Sequence, residues 1–392
     1  MKIPVRTALV LAAAPVLCSV LCPAPALAAA KPAADPWTGR AEATYGSLQK
    51  HLYQGPENHG LYQEKTPQQS TDNAHSFLWP MREAAAATVD MAGLPKAGNA
   101  YRADAAERFA TLERYFEPRD GRPGYDSYLP APLGQGGDVF YDDNSVVGLS
   151  LLDQYRSTGD TAYLGRAEQT FDIVSRGWDD DASKTCPGGM DWVDSPSNTT
   201  RAANVTGLAA ELAARLYQVK HESRYLRSAE KWYGWNRSCL RQGPGLYRNS
   251  RGDDGTVDTT LWTYNSGAMV GTATTLYLAT GDHSYLKRAV ADAGASLAYW
   301  KQGDRLHDQP AIFNAIYFDN LRILNGVRPD PAYRQVESAY AERIWKENRD
   351  PSDGLFRFQP SGGGDYNPSA PAETLEQSAM VQIFAGLATD RS

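Results

Sequence analysis

Two adjacent carboxylates, Asp142 and Asp143, are the residues of this sequence whose type and spacing best suit a chemical reaction. Retaining glycoside hydrolysis needs one carboxylate that attacks the sugar and a second that protonates the leaving oxygen, at a separation of about 5–5.5 Å. Repulsion raises the proton affinity of one member of such a pair, while a helix N-terminus keeps the other ionised. A simpler interpretation stays open, because aspartates that begin a helix also cap it and complement its dipole.

Aromatic and acidic residues are concentrated in the loop that precedes this pair and in equivalent loops further along the chain, near 125–144, 188–198 and 246–265. Aromatic faces suit the C–H faces of sugars, and carboxylates or amides suit their hydroxyl groups. Taken singly, such aromatics could also just pack the ends of helices. Their concentration in the same class of loop indicates a sugar-binding cleft.

An internal repeat predicts the elements that hold these loops. The sequence Thr-Gly-Asp, followed after two further residues by Tyr-Leu, occurs at 158–164 and 280–286, with a weaker copy at 220–226. An apolar segment precedes each copy and an amphipathic segment follows it, which is typical of a buried helix and an outer helix. The Thr-Gly-Asp sequence between them predicts a helix stop, a turn and a new N-cap.

Counting these segments predicts six helix pairs. The last apolar segment is as apolar as the middle ones, whereas an open solenoid would need a polar repeat at its end. We therefore predict an all-α fold, an (α/α)6 barrel. The inner candidates lie near 74–92, 140–157, 203–219, 263–279, 311–326 and 373–388, and the outer candidates near 37–52, 99–117, 161–177, 223–240, 283–300 and 331–346.

The N-terminus has the layout of a cleavable signal peptide: two cations, an apolar run from Ala8 to Leu21, and small residues up to Ala28. We predict a signal peptide at 1–28 and a single secreted catalytic domain at 29–392. Removing Lys2 and Arg6 leaves a formal charge of 37 − 46 = −9, which argues against nucleic acid as a partner. No later stretch approaches the roughly 20 apolar residues of a membrane span, so we expect no membrane insertion, and we expect a monomer.

The cysteines and histidines predict a disulfide and no metal or other cofactor. Cys186 and Cys239 are the two cysteines of the predicted mature chain, and an even pair in an exported protein favours a disulfide. Six histidines are scattered without the spacing of a zinc motif. A zinc enzyme or a Ser-His-Asp hydrolase is therefore not indicated.

The segment 141–144, Tyr-Asp-Asp-Asn, followed by an apolar helix that ends in Thr-Gly-Asp, resembles the signature of glycoside hydrolase family 76, the endo-α-1,6-mannanases. Segments 188–192, 262–267 and 313–317 resemble further parts of that family in the same order. The resemblance implies that Asp142 is the nucleophile, that Asp143 is the general acid/base, and that the enzyme cleaves α-1,6-mannosidic linkages with retention of configuration. The substrate would be α-mannan or a mannan-containing glycoconjugate.

The loops and the resemblance together give a set of candidate substrate-binding residues. Two positions depart from the family's pattern, since Asp191 replaces an aromatic residue and Asn314-Ala315 replaces Lys-Gly. These departures leave the subsite preference open, so a substituted or decorated α-mannan, or a mannan-containing glycolipid, is as plausible a substrate as the plain polymer. The candidates are Tyr125, Tyr141, Asn144, Asp191, Trp192, Asn204, Trp262, Tyr264, Asn265 and Asn314.

Three other functions stay open at this point. An α-mannan transglycosidase would use the same covalent intermediate with a sugar hydroxyl in place of water. An unsaturated uronyl hydrolase would need cations in the cleft loops, where the sequence has Arg122, Arg201, Arg248 and Arg251. A non-catalytic carbohydrate-binding wall protein would keep the cleft without its activity, although the retention of both aspartates argues against it.

Overall fold

Twelve α-helices alternate between an inner and an outer layer in the part of the chain that the computed structural model describes, residues 36–119 and 121–390. The outer helices are α1 (Pro36–His51), α3 (Arg102–Leu112), α5 (Thr161–Ser175), α7 (Ser223–Cys239), α9 (His283–Trp300) and α11 (Pro331–Glu347). The inner helices are α2 (Leu78–Ala92), α4 (Tyr141–Thr158), α6 (Ala203–Lys220), α8 (Thr263–Thr280), α10 (Ala311–Asn325) and α12 (Thr374–Thr389). This alternation confirms the predicted fold class.

The Thr-Gly-Asp turns act as the repeat predicts. Gly159 ends α4 in the left-handed conformation, with φ of 75°, and Asp160 then caps α5 by accepting a hydrogen bond of 2.9 Å from the Ala162 backbone N–H. Gly281 and Asp282 do the same between α8 and α9. In the weaker copy His221 takes the left-handed position, with φ of 55°. An inner helix can thus reverse into an outer helix within two residues.

Short strands connect the helices at one end of the barrel. They are β1 (Lys65–Thr66), β2 (Phe116–Glu117), β3 (Gly124–Tyr125), β4 (Thr200–Ala202), β5 (Arg241–Gly243), β6 (Leu246–Gly252), β7 (Val257–Leu261) and β8 (Ala372–Glu373). Strand β6 pairs antiparallel with β4, β5 and β7, while β1 pairs with β8 and β2 with β3. Because β4 leads directly into α6 and β7 ends just before α8, the β6–β7 hairpin lies at the N-terminal end of these inner helices.

The inner helices form a closed ring, since α12 packs against α2. The pairing of β1 with β8 joins the segment before α2 to the segment before α12, and the Thr374 hydroxyl donates to the Gln63 carbonyl at 2.6 Å. Glycines allow the closest approach within the ring: a Cβ at Gly267 of α8 would lie 2.8 Å from the Tyr317 Cα of α10. Because the ring is closed, it does not need the polar end repeats that cap an open solenoid.

Two separate cavities, each of about 350 Å³, lie along the barrel. One lies at the N-terminal ends of the inner helices, and the other lies among arginines and acidic residues of their C-terminal halves. Val146, Leu208 and Ile316 line both cavities. These three apolar side chains therefore form a partition between the two cavities.

The described residues from Pro36 onward form one compact unit. The predicted signal peptide, residues 1–28, lies outside the described residues and stays a prediction. Among the helices of the described part, none combines the length and apolar character that a membrane crossing requires.

Candidate active site

The residues that surround the first cavity occupy equivalent positions on successive inner helices. Trp79, Asp142, Asn204 and Tyr264 are the second residues of α2, α4, α6 and α8, and Phe313 is the third residue of α10. All five side chains line the cavity together with Asp143 and Trp192. The helical repeat thus brings one residue from each of five inner helices to the same mouth.

The carboxylate of Asp142 accepts three hydrogen bonds. Its Oδ2 accepts from Asn204 Nδ2 at 2.8 Å and from Trp192 Nε1 at 3.1 Å, and its Oδ1 accepts from the Asp143 backbone N–H at 3.1 Å. Burial raises the pKa of Asp142 above its ordinary value, while these three donors favour the charged form and oppose the increase. They also fix the orientation of the Asp142 carboxylate, as a nucleophile requires.

Asp143 lies in the opposite situation, since no donor in the described ranges 36–119 and 121–390 contacts its carboxyl oxygens. Burial raises the pKa of Asp143 well above its ordinary value, and the negative charges of Asp142 and Glu83 raise it further. The first proton to leave the pair therefore comes from Asp142. The arrangement gives one anion and one neutral acid side by side, which is the division of roles that double displacement needs.

Aromatic rings form part of the cavity wall. The rings of Tyr264 and Phe313 are stacked, with centroids 3.9 Å apart and an interplanar angle of 1°. Trp79 stacks on the same phenylalanine at 6.1 Å, and Trp262 meets it edge-on at 5.4 Å. Trp192 is 47% exposed and lies beside Asp142. The rings that line the cavity, those of Trp79, Trp192, Tyr264 and Phe313, offer an apolar surface on which the C–H face of a sugar can pack.

A buried arginine anchors the loop that carries Trp192. Arg201 is completely buried, and its guanidinium donates to the carbonyl oxygens of Thr185, Cys186, Gly188 and Gly252 at 3.0–3.4 Å. The predicted disulfide between Cys186 and Cys239 is present, with the two Cα atoms 6.1 Å apart. Both features join the loop that carries Trp192 to its surroundings and so hold the indole of Trp192 beside Asp142.

Three predicted residues brace α4 and do not line the cavity. Asn144 is completely buried, and its amide exchanges two hydrogen bonds of 3.0 Å with the backbone N–H and carbonyl of Tyr125. The Tyr125 hydroxyl donates to Glu113 at 2.6 Å. Tyr141 is 2% exposed, and burial raises its pKa to about 12. These side chains fix the start of α4 and thereby the direction of the two carboxylates.

Four further candidates are not among the residues that line the cavity. Asp191 is half-buried. Its carboxyl lies near a network of charged groups, which is formed by Asp179, Lys184, Asp253 and Arg201. Asn265 and Asn314 are buried in their helices, and Trp262 packs on Phe313. The two departures from the family's pattern therefore lie outside the cavity, whereas the candidates Trp192, Asn204 and Tyr264 line it.

Sequence reasoning missed Trp79, Phe313 and Asn249 as residues of the cavity wall. A signal for the first was available, because Trp79 precedes Asp142 by nearly the same interval by which Asp142 precedes Asn204. Asn249 lies on β6, and the sequence does not indicate which face of the β6–β7 hairpin lines the cleft.

Anionic ligands have no cationic partner among the described residues that line this cavity. None of Arg122, Arg201, Arg248 and Arg251 lines the cavity, and Arg122 is paired with Asp194. A uronate would therefore lack a cation there, which argues against a uronyl hydrolase. Among residues 36–119 and 121–390, no group of three or more His, Cys, Asp or Glu side chains is placed to hold a metal ion.

A closed ring of six helix pairs, with a carboxylate pair and aromatic rings at one mouth, defines a glycoside hydrolase of the helical-toroid class. The model of glycosyl hydrolase family 76 matches residues 37–391. The chain belongs to this family, as its sequence motifs indicate.

Individual relatives are similar at low identity. A mannan endo-1,6-alpha-mannosidase, DCW1, of Candida glabrata is 26% identical over 184 residues, an alignment that spans 43% of this chain and 41% of that relative's length. A solved family 76 mannosidase from Bacteroides thetaiotaomicron, Bt3792, is 23% identical with a TM-score of 0.79, covering 91% of this chain and 98% of its own. An inactive variant of a Salegentibacter α-1,6-mannanase, with two adjacent aspartates replaced by asparagine and α-1,6-mannotriose bound, is 20% identical with a TM-score of 0.70, covering 90% and 99%.

Replacing Asn204 with alanine tests the hydrogen bonding of Asp142. We expect kcat/KM to fall by about 10- to 100-fold, because a hydrogen bond to a charged group contributes about 1.5–3 kcal/mol. The loss of a donor raises the pKa of Asp142, so the acidic limb of the pH profile should move to higher pH. Asn249→Ala is the matched control, since Asn249 lines the same cavity but donates to Asp258 at 2.7 Å. An equal movement of the limb in both variants would contradict the assignment.

Proposed function

We propose that this protein is a secreted retaining glycoside hydrolase that cleaves α-1,6-mannosidic linkages in α-mannan or mannan-containing glycoconjugates by double displacement. The observation that carries the proposal is the unequal environment of the two aspartates. Asp142 has three donors that favour its anion, whereas Asp143 is buried against two negative charges that favour its neutral form. A nucleophile and an acid are thereby set side by side at the mouth of the barrel.

In the first step, Asp143 gives its proton to the leaving glycosidic oxygen while Asp142 attacks the anomeric carbon from the other face. The bond between that carbon and the oxygen breaks, and a covalent ester to Asp142 forms. In the second step Asp143, now ionised, takes a proton from water as this water attacks the anomeric carbon and releases Asp142. Two inversions give net retention.

The substrate assignment draws on the family and on the cleft. The curated relative is named for cleavage of 1,6-linked α-mannan, and the Salegentibacter structure holds an α-1,6-linked trisaccharide. The cavity of about 350 Å³ combines aromatic rings with hydroxyl and amide groups, and it holds no cation among its described lining residues. A neutral sugar polymer suits these walls better than a uronate.

Product analysis tests the proposal. Linear α-1,6-mannan is incubated with the wild-type protein and with Asp142→Asn and Asp143→Asn variants that are shown to be folded. We expect short oligosaccharides from the wild type alone, with the α-anomer of the new reducing end formed first. Products longer than the substrate would identify a transglycosidase, an initial β-anomer would exclude retention, and an unchanged polymer would overturn the substrate.

Secretion has its own test. The full-length chain is expressed in a secreting host, and the N-terminus of the protein in the medium is sequenced. We expect cleavage after residue 28. An uncleaved chain retained in the cytoplasm would contradict export.

A further inference from the structure

The second cavity, among the C-terminal halves of the inner helices, has no part in the two chemical steps above. Its lining combines aliphatic and charged side chains, and no aromatic ring is among its described lining residues, in contrast to the catalytic cavity. Four of the inner helices, α2, α4, α6 and α10, each place one acidic residue in this lining. These residues are Asp90, Asp153, Glu211 and Asp319. Such walls suit a charged ligand with an alkyl chain better than a sugar.

The arginines of the second cavity are already paired with carboxylates. Two of the four partners, Glu83 and Glu337, lie outside the lining, so the cavity and these pairs together hold six carboxyl groups and four guanidinium groups. An anionic ligand would have to displace a carboxylate from its arginine, whereas a cation would meet an excess of carboxyl groups. The pairs are Arg82–Glu83, Arg156–Asp153, Arg215–Asp153, Arg215–Glu211 and Arg322–Glu337.

Glu211 offers a buried acceptor that the protein leaves open. The residue is 1% exposed, and its Oε1 accepts from Arg215 Nη2 at 2.5 Å. Its Oε2 is also buried, and no hydrogen-bond donor contacts this atom from residues 36–119 and 121–390. A buried carboxylate oxygen without a donor is costly. Because Glu211 lines the cavity, a ligand there can supply the missing donor.

Asp90 offers a second open carboxyl. Within the part of the chain that the structure describes, this carboxyl group makes no hydrogen bond and no ion pair. Burial, and then the charge of Asp319, raise the pKa of Asp90 to about 8. The other charged groups that act on it also line the cavity, and they are Arg322, Asp153 and Arg82. A positively charged group at this point would find a carboxyl without a competing partner.

The second cavity can be reached from solvent at its own end of the barrel. The side chains of Asp153 and Asp319 are 43% and 53% exposed, and Leu278 is also exposed, whereas Glu211 and Arg215 are buried. Exposed carboxylates at the rim attract cations toward the buried ones. A ligand therefore does not need to pass the catalytic pair to reach Glu211.

We propose that the second cavity binds an aliphatic polyamine, with its ammonium groups at Glu211 and Asp90 and its alkyl chain on the aliphatic side chains of the lining. An ammonium group brings positive charge and up to three donors to carboxyl oxygens that lack them. A bare metal ion fits less well, because no three His, Cys, Asp or Glu side chains within residues 36–119 and 121–390 are grouped to hold one. This site is separate from the proposed glycoside hydrolysis.

The test is isothermal titration calorimetry of the full chain with 1,4-diaminobutane, without substrate. We expect saturable binding at one site, and no binding of 1,4-butanediol, which has the same chain length without the charges. Asp90→Asn and Glu211→Gln should each raise Kd by at least about tenfold, because each removes a charged acceptor. An absence of saturable diamine binding would overturn the inference, as would binding of inorganic phosphate in its place.

Two control variants locate the site. Asp172→Asn removes a carboxylate whose side chain is 60% exposed on the outer helix α5, and Asp143→Asn removes one from the catalytic cavity. Both should keep the diamine affinity of the wild type. An equal loss in Asp172→Asn would reduce the effect to attraction by an acidic surface. A loss in Asp143→Asn with none in Asp90→Asn would place the amine in the catalytic cavity and contradict the proposal.

Asp90→Asn keeps the test decisive if Glu211→Gln fails to fold without the full charge beside Arg215. The Asp90 carboxyl makes no hydrogen bond or ion pair within the described ranges, so its replacement breaks no such contact there, and thermal unfolding should show a melting temperature close to that of the wild type. Diamine binding is measured without α-mannan. A wild type that leaves α-mannan intact would therefore refute the proposed function and leave this measurement standing.

Discussion

Replacing Asp142 with glycine should lower kcat/KM on α-1,6-mannan by at least about 10⁴-fold, because the covalent intermediate can no longer form. Azide fits the space left by the carboxylate. With a mannoside that carries an activated leaving group, we expect azide to restore turnover and to give a β-mannosyl azide, since one direct displacement inverts the α-linked centre. Proton NMR of the product identifies the anomer.

The matched variant is Asp143→Gly, which removes a carboxyl of the same size from the next position. Here the ester to Asp142 still forms from an activated substrate, and azide then attacks it, so the expected product is the α-mannosyl azide. Opposite anomers from the two variants would assign the nucleophile and the acid/base individually. The reverse pattern would exchange the roles of Asp142 and Asp143.

Replacing Arg201 with methionine should destabilise the protein by about 3–5 kcal/mol, because the change leaves buried carbonyl oxygens without their donor. The residue is completely buried, and it also lies 3.6–3.7 Å from carboxylate oxygens of Asp179 and Asp253. We expect the melting temperature to fall by on the order of 10 °C, measured by calorimetry. Activity should fall as well, since Arg201 anchors the loop that carries Trp192.

Arg251→Met is the control for this change, as Arg251 is the cross-strand neighbour of Arg201 on β6. Its guanidinium reaches two carbonyl oxygens at 3.4–3.5 Å and is only partly buried. We expect a loss of less than about 1 kcal/mol, which is ordinary for a partly exposed contact. Equal losses in both variants would show that the four carbonyl contacts of Arg201 are not what stabilises the loop.

The repeat made the helical layers predictable, because apolar periodicity and Thr-Gly-Asp turns are local properties of the sequence. The bounds of α5 and α9 differ from the prediction by at most two residues. The outer segment 99–117 was too long: α3 covers Arg102–Leu112, and short 3-10 helices at Gly98–Tyr101 and Glu113–Tyr115 flank it. Such turns continue the apolar pattern without continuing the helix.

The cleft was less predictable than the fold. Tyr125, Asn144 and Tyr264 are polar or aromatic residues in the segments that lead into or begin an inner helix, yet the first two brace α4 while the third lines the cavity. Which residue faces the axis depends on the rotation of each helix, and that rotation is set by packing between helices far apart in sequence. Asp142 and Asp143 stood out because adjacent acids seldom occur in a buried position without a partner or a function.

Because the apolar side chains of Val146, Leu208 and Ile316 line both cavities, we expect water in the proposed mechanism to reach Asp142 from the mouth of its own cavity and not from the second cavity. The water that breaks the ester to Asp142 must then arrive through the opening by which the leaving sugar departs. A sugar that stays bound in that opening delays the water and offers its own hydroxyl in the same place. The balance between hydrolysis and chain transfer therefore depends on how long the leaving sugar stays bound at the mouth of the cavity, where it competes with water.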